Sequence, residues 1–275
     1  MNRFFLLAVT LLAFSNSVMS KNTCSIFVHG FTANNKDYFG DLPRQVHWDS
    51  SQNIEEAADE VALGILDQID TCSVNDIIVL RPHSYGAAVV MYILGIGRRF
   101  QNKYPDHHFV EIYKKTYEVV SYTGAYHGTP LMDLVCSNTS TKIVGGTFGK
   151  SCVESLLTNS VKSVTNYVNN PGVPTYLVHS TDRSGYLNST GTLIARDGVS
   201  FTDFYFKGMR NQNDNTLPIS STRACASQEV MLGENQNCKK INSSYFIDYF
   251  HEKNRNHTEF LEDKVFMLMG SIGED

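Results

Sequence analysis

Short apolar runs alternate with longer amphipathic segments along most of the chain. Four runs are apolar at nearly every position, as is typical of strands buried on both faces of a parallel sheet: 24–30, 76–82, 117–125 and 174–180. Longer segments carry apolar residues at helical spacing or over most of their surface: 53–69, 85–100, 150–168 and 259–272. This alternation predicts an α/β fold whose mostly parallel sheet is covered by helices on both faces.

The N-terminal segment has a different pattern from the rest. Arg3 precedes an apolar stretch at residues 4–14, and the small side chain of Ser20 follows it. This order predicts a secretory signal peptide over residues 1–20, since the apolar stretch is too short to span a bilayer. Residues 21–275 are then expected to form one exported domain, secreted or periplasmic.

Charge and cysteine content narrow the class of protein. The formal net charge of −5 argues against a protein dedicated to nucleic-acid binding. All six cysteines lie after the predicted signal peptide, and an even number in an exported chain favours disulfides over metal ligation. Many connectivities are open to six cysteines, and we expect the sequential one: Cys24–Cys72, Cys136–Cys152 and Cys225–Cys238.

The stretch PHSYG places Ser84 between a predicted strand and a predicted helix. This is the context of the G-x-S-x-G nucleophile elbow of serine hydrolases, although Pro82 replaces the first glycine. A sharp turn here exposes the hydroxyl, and the helix N-terminus behind it favours developing negative charge. Gly86 meets the need for a small neighbour. The alternative is an ordinary serine at a strand end, where Pro82 has no N–H for the sheet.

The stretch VHGF ends the first predicted strand. Gly30 lets the backbone turn towards a bound carbonyl oxygen, and the next residue, Phe31, would present its N–H there. The second N–H of such an oxyanion hole comes from the residue after the nucleophile, which here is Tyr85. A plain turn at His29 and Gly30 is the alternative interpretation.

A serine nucleophile needs a base, and the base needs an orienting carboxylate. In this class of fold the order along the chain is serine, acid, histidine. His257 precedes the final predicted helix and suits the base best. His251 is the nearest rival, but it ends an aromatic segment typical of packing, and His179 lies inside a predicted strand.

Three aspartates compete for the orienting role. Asp214 is followed by hydrophobic and hydroxyl residues in NDNTLPISS. Asp182 directly follows the fourth predicted strand, where sites form in parallel sheets. Asp197 stands in a D-G pair, which is first of all a turn signal. We favour Asp214 and keep the other two open.

Five motifs occur in one order along the chain: VHGF, PHSYG, YHGTPLMD, NDNTLP and NHTEF. Together they resemble the α/β-hydrolase superfamily and, within it, the secreted bacterial triacylglycerol lipases, and they span residues 28–260. The resemblance implies a parallel sheet, ester substrates and a catalytic triad of Ser84, Asp214 and His257. The chain departs from the family at Pro82, in the short stretch before the nucleophile strand and in its irregular spacing after residue 180.

The resemblance also bears on the YHGTPLMD motif, since a similar stretch leads into the lid of bacterial lipases. It implies a lid or cap over about residues 131–170, with Leu131 and Met132 as side chains that face a substrate. Core packing is the alternative for both. His127, in the same motif, is interpreted as a structural residue.

The sequence therefore predicts a secreted carboxylic ester hydrolase that acts on a lipid or small ester without a cofactor or metal. Transient contact with a lipid interface is expected if the substrate is a lipid. A phospholipase A-type enzyme and a short-chain esterase remain open. So does a non-catalytic binding protein of the same fold, which Pro82 favours because pseudoenzymes lose elbow residues. A metallohydrolase is disfavoured, since the chain has no H-x-x-x-H motif.

Overall fold

A six-stranded parallel sheet lies at the centre of the computed structural model. The structure describes residues 22–31, 38–128, 132, 136, 152–157, 165–181, 186–187, 192–194, 200–202 and 244–253. The strands are β1 (Thr23–Val28), β2 (Gln45–Val46), β3 (Ile77–Pro82), β4 (Thr116–Tyr122), β5 (Thr175–Thr181), β6 (Tyr186–Leu187), β7 (Thr192–Ile194), β8 (Ser200–Thr202) and β9 (Phe246–Lys253). The main sheet has the order β2-β1-β3-β4-β5-β9, and each neighbouring pair is parallel. Strands β6 to β8 form a separate antiparallel sheet.

The described helices are α1 (Ile54–Ile69), α2 (Tyr85–Phe100), α3 (His108–Lys115) and α4 (Thr165–Val168), with a 3₁₀ turn at Glu154–Leu156. None of these helices has the length and apolarity needed to cross a bilayer. Helices α1 and α2 bury their apolar faces in the larger of two core clusters, together with Ile26 and Leu80. Phe27 and Val79 belong to the smaller cluster. Since successive strand side chains point to opposite faces, the two clusters lie on the two sides of the sheet.

Helix α1 begins where the sequence supplies a capping box. The Asn53 side chain accepts from the N3 backbone, and the Glu56 carboxylate accepts from the Asn53 N–H at 3.1 Å. Glu55 and Glu56 also place negative charge at the positive end of the helix dipole. Its apolar positions are buried as their spacing predicts: Ile54, Ala57, Ala58, Val61, Ile65 and Ile69.

The predicted strands and two predicted helices are confirmed. All four apolar runs form strands of the central sheet, with ends displaced by a few residues, and α2 has the predicted bounds. Strand β4 stops before the predicted end at residue 125 because Thr123 turns the backbone to a positive φ of 41°. The helix predicted over 259–272 lies outside the described residues, as does the signal peptide predicted over 1–20.

The prediction of one helix over 150–168 is wrong at its start. Residues 152–157 contain only the 3₁₀ turn, and the α-helical residues described are those of α4. Two tethers explain the difference. Cys152 is held by a disulfide, and the Ser155 N–H is drawn to the Asn53 side chain at 3.1 Å instead of bonding within a helix.

Six described strands and helices carry no strong local signal and were not predicted: β2, α3, β6, β7, β8 and β9. Strand β9 lies at the edge of the main sheet, and it lacks a continuous apolar run because Ile247 and Tyr249 are exposed beside the buried Phe246. Helix α3 is short and capped by a histidine, since the His107 ring accepts from the Phe109 N–H.

Two of the three expected disulfides are confirmed. Cys24 pairs with Cys72 and ties the start of β1 to the chain after α1, while Cys136 pairs with Cys152. The expected pair of Cys225 and Cys238 lies outside the described residues. Among the described cysteines none is free.

Candidate active site

Ser84 occupies a strained turn between β3 and α2. Its φ of 52° and ψ of −122° are rare for any residue with a side chain and characteristic of a functional constraint. The Ser84 N–H donates to the Tyr122 carbonyl at 3.0 Å, and the Ser84 carbonyl accepts from Ala125 at 2.9 Å. Both the N–H and the carbonyl of Ser84 are therefore held by residues at or just after the end of β4. This is the strand–turn–helix context that the nucleophile elbow requires.

Two glycines leave room for this turn. A Cβ on Gly30 would lie 2.6 Å from the Ser84 Cβ, and a Cβ on Gly86 would lie 2.3 Å from the His29 carbonyl oxygen. Both distances are too short for any side chain. The predicted need for small residues around the serine is confirmed, and it couples the elbow to the VHGF loop.

Pro82 fits the elbow because the sheet does not use the N–H that proline lacks. His83 donates to the Val28 carbonyl in β1, whereas Ser84 donates to the carbonyl of Tyr122, the last residue of β4, so the nitrogen of residue 82 faces β4. Between these two fully described strands, pairing passes from Leu80–Val119 to the single bridge His83–Tyr122. The missing donor coincides with this gap.

The VHGF loop is held by a neutral histidine. The His29 Nδ1 lies 2.7 Å from the Gly30 carbonyl oxygen, and its Nε2 accepts from the Trp48 backbone N–H at 3.4 Å. Burial lowers the pKa of His29 to about 4 despite the opposing hydrogen bond to Gly30. The proton of the neutral ring is therefore on Nδ1, where it binds the Gly30 carbonyl.

This hydrogen bond orients the proposed oxyanion donor. The Gly30 carbonyl and the Phe31 N–H belong to one trans peptide plane and point in opposite directions. Fixing the carbonyl through His29 therefore fixes the direction of the Phe31 N–H. Trp48 supports the same loop, since its indole N–H donates to the His29 carbonyl at 3.2 Å. The sequence analysis missed this role of Trp48, which has no local signal beyond a single tryptophan in a polar stretch.

Tyr85 begins α2 with a buried side chain whose hydroxyl donates to the Gln52 carbonyl at 2.8 Å. The first N–H groups of a helix have no partner within the helix. Within the described part of the chain, no hydrogen bond engages the Tyr85 N–H. It is the donor that the sequence places next to the nucleophile.

The predicted base and the candidate acids are not among the described residues. Asp214 and His257 lie outside the described residues, as do Asp182 and Asp197. His179 and His251 stand in register on β5 and β9. Because parallel strands end at the same edge of the sheet, β5 and β9 end at the edge that carries Ser84, and His257 follows β9 four positions after Lys253.

The predicted substrate-facing residues are described in part. Met132 is 3% exposed within the larger core cluster, and its sulfur lies 3.5 Å from the Val153 nitrogen. Leu131 lies outside the described residues, as does most of the predicted lid. His127 is buried, in keeping with a structural role. Among the described residues, no group of His, Cys, Asp and Glu side chains could hold a metal ion.

The fold is shared with bacterial enzymes of known structure. No protein-family model matches the chain, and no curated protein matches it in sequence. The mature form of the lipase BlEst2 from Bacillus licheniformis is similar with a TM-score of 0.57 and 13% identity, over 88% of this chain and 87% of that one. Its propeptide form has a TM-score of 0.56 and 14% identity, over 90% and 49% of the two chains.

A third similar structure is the phospholipase PlaB from Legionella pneumophila in complex with thio-NAD. Its TM-score is 0.50 at 15% identity, over 73% of this chain and 44% of that chain. Structural similarity at such low identity shows the fold alone. The shared fold agrees with the parallel sheet and the strand order described above. The chain has the α/β-hydrolase fold that its motifs resemble.

Proposed function

We propose that the chain is a serine hydrolase that cleaves carboxylic esters through an acyl-enzyme. The observation that carries this proposal is the positive φ of Ser84 in a turn clamped between β4 and the VHGF loop. A serine without a catalytic role has no need of such a turn, which costs of order 1–3 kcal/mol. The lipase and the phospholipase of the same fold support ester substrates.

In the proposed reaction His257 accepts the Ser84 proton while the Ser84 Oγ attacks the ester carbonyl carbon. The carbonyl oxygen becomes an oxyanion and accepts hydrogen bonds from the Phe31 and Tyr85 N–H groups. Asp214 orients His257 and stabilises its protonated form. When the carbonyl re-forms, the alcohol leaves with the proton from His257, and water then hydrolyses the acyl-enzyme by the same steps.

Three classes of substrate are compared: esters with a long acyl chain, phospholipids and short-chain esters. The proposed lid over residues 131–170 favours a lipid, because an apolar cap can cover an acyl chain. Met132 at its start packs in the core instead, so the argument rests on the rest of this segment. Turnover of p-nitrophenyl esters of increasing chain length separates these classes. Preference for the shortest ester would favour the short-chain esterase, and release of fatty acid from phospholipid vesicles would favour the phospholipase.

Export from the cell is part of the proposal. The two disulfides are compatible with an oxidising compartment, and the signal-like segment at residues 1–20 supports secretion. Mass spectrometry of the protein recovered from the periplasm or medium is expected to give a mature chain that begins near Lys21. Retention of Met1 in recovered protein would contradict this.

The test of the chemistry is Ser84→Ala. We expect hydrolysis of p-nitrophenyl esters to fall by at least about 10⁴-fold while the circular dichroism spectrum stays unchanged. Ser51→Ala, at an exposed serine, serves as the control and should keep full activity. Turnover close to that of the unchanged protein in Ser84→Ala would refute the proposal.

The alternative of a non-catalytic binding protein rested on Pro82. The gap in the β3–β4 pairing explains the proline on structural grounds alone. Pro82 therefore no longer favours a binding protein over an enzyme. We therefore keep the hydrolase as the proposal.

A further inference from the structure

The residue before the nucleophile carries a buried ring that the proposed chemistry does not use. His83 is fully buried, its Nδ1 lies 2.6 Å from the Tyr38 Oη, and its Nε2 lies 3.1 Å from the Thr123 Oγ1. Tyr38 comes from the loop before β2, and Thr123 directly follows β4. The ring therefore joins three separate segments directly behind Ser84.

The direction of these two hydrogen bonds depends on the protonation of Tyr38. Burial raises the pKa of Tyr38, while a hydrogen bond from the Gly30 backbone opposes the rise, so the phenol keeps its proton. Because its oxygen already accepts from the Gly30 backbone, we assign the Tyr38 O–H as the donor to the His83 Nδ1. The ring proton is then on Nε2, which donates to the Thr123 hydroxyl oxygen.

The same tyrosine hydroxyl contacts the oxyanion loop. A Cβ on Gly30 would lie 2.8 Å from the Tyr38 Oη and 2.6 Å from the Ser84 Cβ. Gly30 precedes the proposed donor Phe31, and His83 precedes the proposed nucleophile. One oxygen atom thus contacts the neighbours of both groups that must meet the substrate carbonyl.

Thr123 extends this connection to the next strand. Its N–H donates to the Val178 carbonyl of β5 at 2.7 Å, and its own φ is 41°. The hydroxyl is therefore attached to a backbone that is itself held by β5. The hydrogen-bonded chain therefore runs from Gly30 through Tyr38 and His83 to Thr123, and ends on the strand that precedes the proposed acids.

We propose that Tyr38 is a positioning residue, whose hydroxyl holds the Gly30 loop and the His83–Ser84 elbow at the separation needed for catalysis. This inference rests on the proposed ester hydrolysis. Tyr38 does not touch the substrate in this scheme. It sets the distance between the Ser84 Oγ and the Phe31 N–H, so its loss weakens binding of the transition state more than binding of the ester.

The test compares Tyr38→Phe with Tyr126→Phe. Tyr126 is also buried, and its hydroxyl donates to the Ser121 Oγ, so the control loses a hydrogen bond of the same kind. With p-nitrophenyl butyrate, we expect kcat of Tyr38→Phe to fall about 10- to 100-fold and KM to change by less than about twofold. The affinity for a boronic acid, which forms a tetrahedral adduct on the serine, should fall in parallel with kcat. Tyr126→Phe should keep both.

A second pair of variants covers the case in which Tyr38→Phe does not fold. Thr123→Val removes the acceptor at the other end of the chain, whereas Thr123→Ser retains it. We expect kcat to fall in Thr123→Val and to be kept in Thr123→Ser. Imidazole nitrogen shifts in the unchanged protein should also show His83 neutral with its proton on Nε2.

The outcomes are separable. If the unchanged protein turns over the ester and Ser84→Ala does not, but Tyr38→Phe keeps the kcat of Tyr126→Phe, the positioning role is overturned and the hydrolase stands. If the unchanged protein turns over no ester, the proposed function fails first, and the role of Tyr38 in it fails with it.

Discussion

The Gly86 α-carbon lies so close to the His29 carbonyl that a methyl group on it would sit 2.3 Å from the carbonyl oxygen. Helix α2 therefore begins in direct contact with the loop that is proposed to bind the oxyanion. The contact is between backbones, which cannot move aside as a flexible side chain can. The spacing of the nucleophile and the oxyanion loop depends on glycine at this position.

Gly86→Ala should accordingly destabilise the fold and impair activity. We expect a loss of about 1–3 kcal/mol in the free energy of unfolding from overpacking, measured by urea denaturation, and a fall in kcat. Gly40→Ala is the control, since Gly40 has a φ of 60° but open space around its α-carbon. Its cost should be about 1 kcal/mol from backbone strain alone, with unchanged kcat. Full activity in Gly86→Ala would contradict the close contact.

The buried His29 makes stability depend on pH. Its pKa is lowered by burial from 6.5 to about 4, so its contribution is complete above pH 6.5 and is lost as the pH falls from 6.5 through 4. The shift corresponds to about 3 kcal/mol. His29→Asn removes the titrating group and can keep a donor for the Gly30 carbonyl.

The measurement is urea unfolding of both proteins at about pH 7.5 and about pH 4. Other groups titrate equally in the two proteins, so the difference between them isolates His29. We expect the unchanged protein to lose about 3 kcal/mol more than His29→Asn over this range. An equal loss in the two proteins would show that His29 titrates normally.

The two disulfides should differ in their contribution to stability. Cys24 and Cys72 are 48 positions apart and Cys136 and Cys152 are 16 apart, and the longer loop restricts the unfolded chain more. Chain-entropy reasoning gives about 4 kcal/mol for the first and about 3 kcal/mol for the second. Pairwise replacement by alanine, followed by urea unfolding, measures both. A larger loss from the shorter loop would mean that native contacts, rather than the unfolded chain, dominate.

The acid of the triad can be identified by substitution. We expect Asp214→Asn to lower kcat on the order of 10⁴-fold with little change in stability, as expected when the orienting carboxylate is removed. Asp182→Asn is the matched variant and should lower it far less. The opposite ranking would assign the role to Asp182, which directly follows β5 in the sequence.

Much of the fold could be predicted because its signals are local. The continuous apolar runs of β1 and β3 and the spacing of apolar residues in α1 each depend on a few consecutive residues, and the structure confirms them. The elbow could also be predicted, because Ser84 lies between an apolar strand and a helix and Gly86 supplies the small neighbour that the turn needs. The edge strand β9 was not predicted, because its exposed side lacks the continuous apolar pattern of a buried strand.

Contacts between distant residues could not be predicted from a single sequence. Tyr38 and His83 are 45 positions apart, and nothing in their local patterns marks them as partners. The 3₁₀ turn at Glu154–Leu156 replaced a predicted helix for the same reason, since its cause is the hydrogen bond between Ser155 and Asn53, 102 positions away. Such pairings are set by the packing of whole segments.

The most direct test of the central claim is labelling by a fluorophosphonate, which reacts with activated serines. We expect one adduct per molecule, found by mass spectrometry on the peptide that contains Ser84, and none in Ser84→Ala or in the unfolded chain. An adduct on a different serine, or no adduct in folded protein that still hydrolyses esters, would contradict the assignment of Ser84 as the nucleophile.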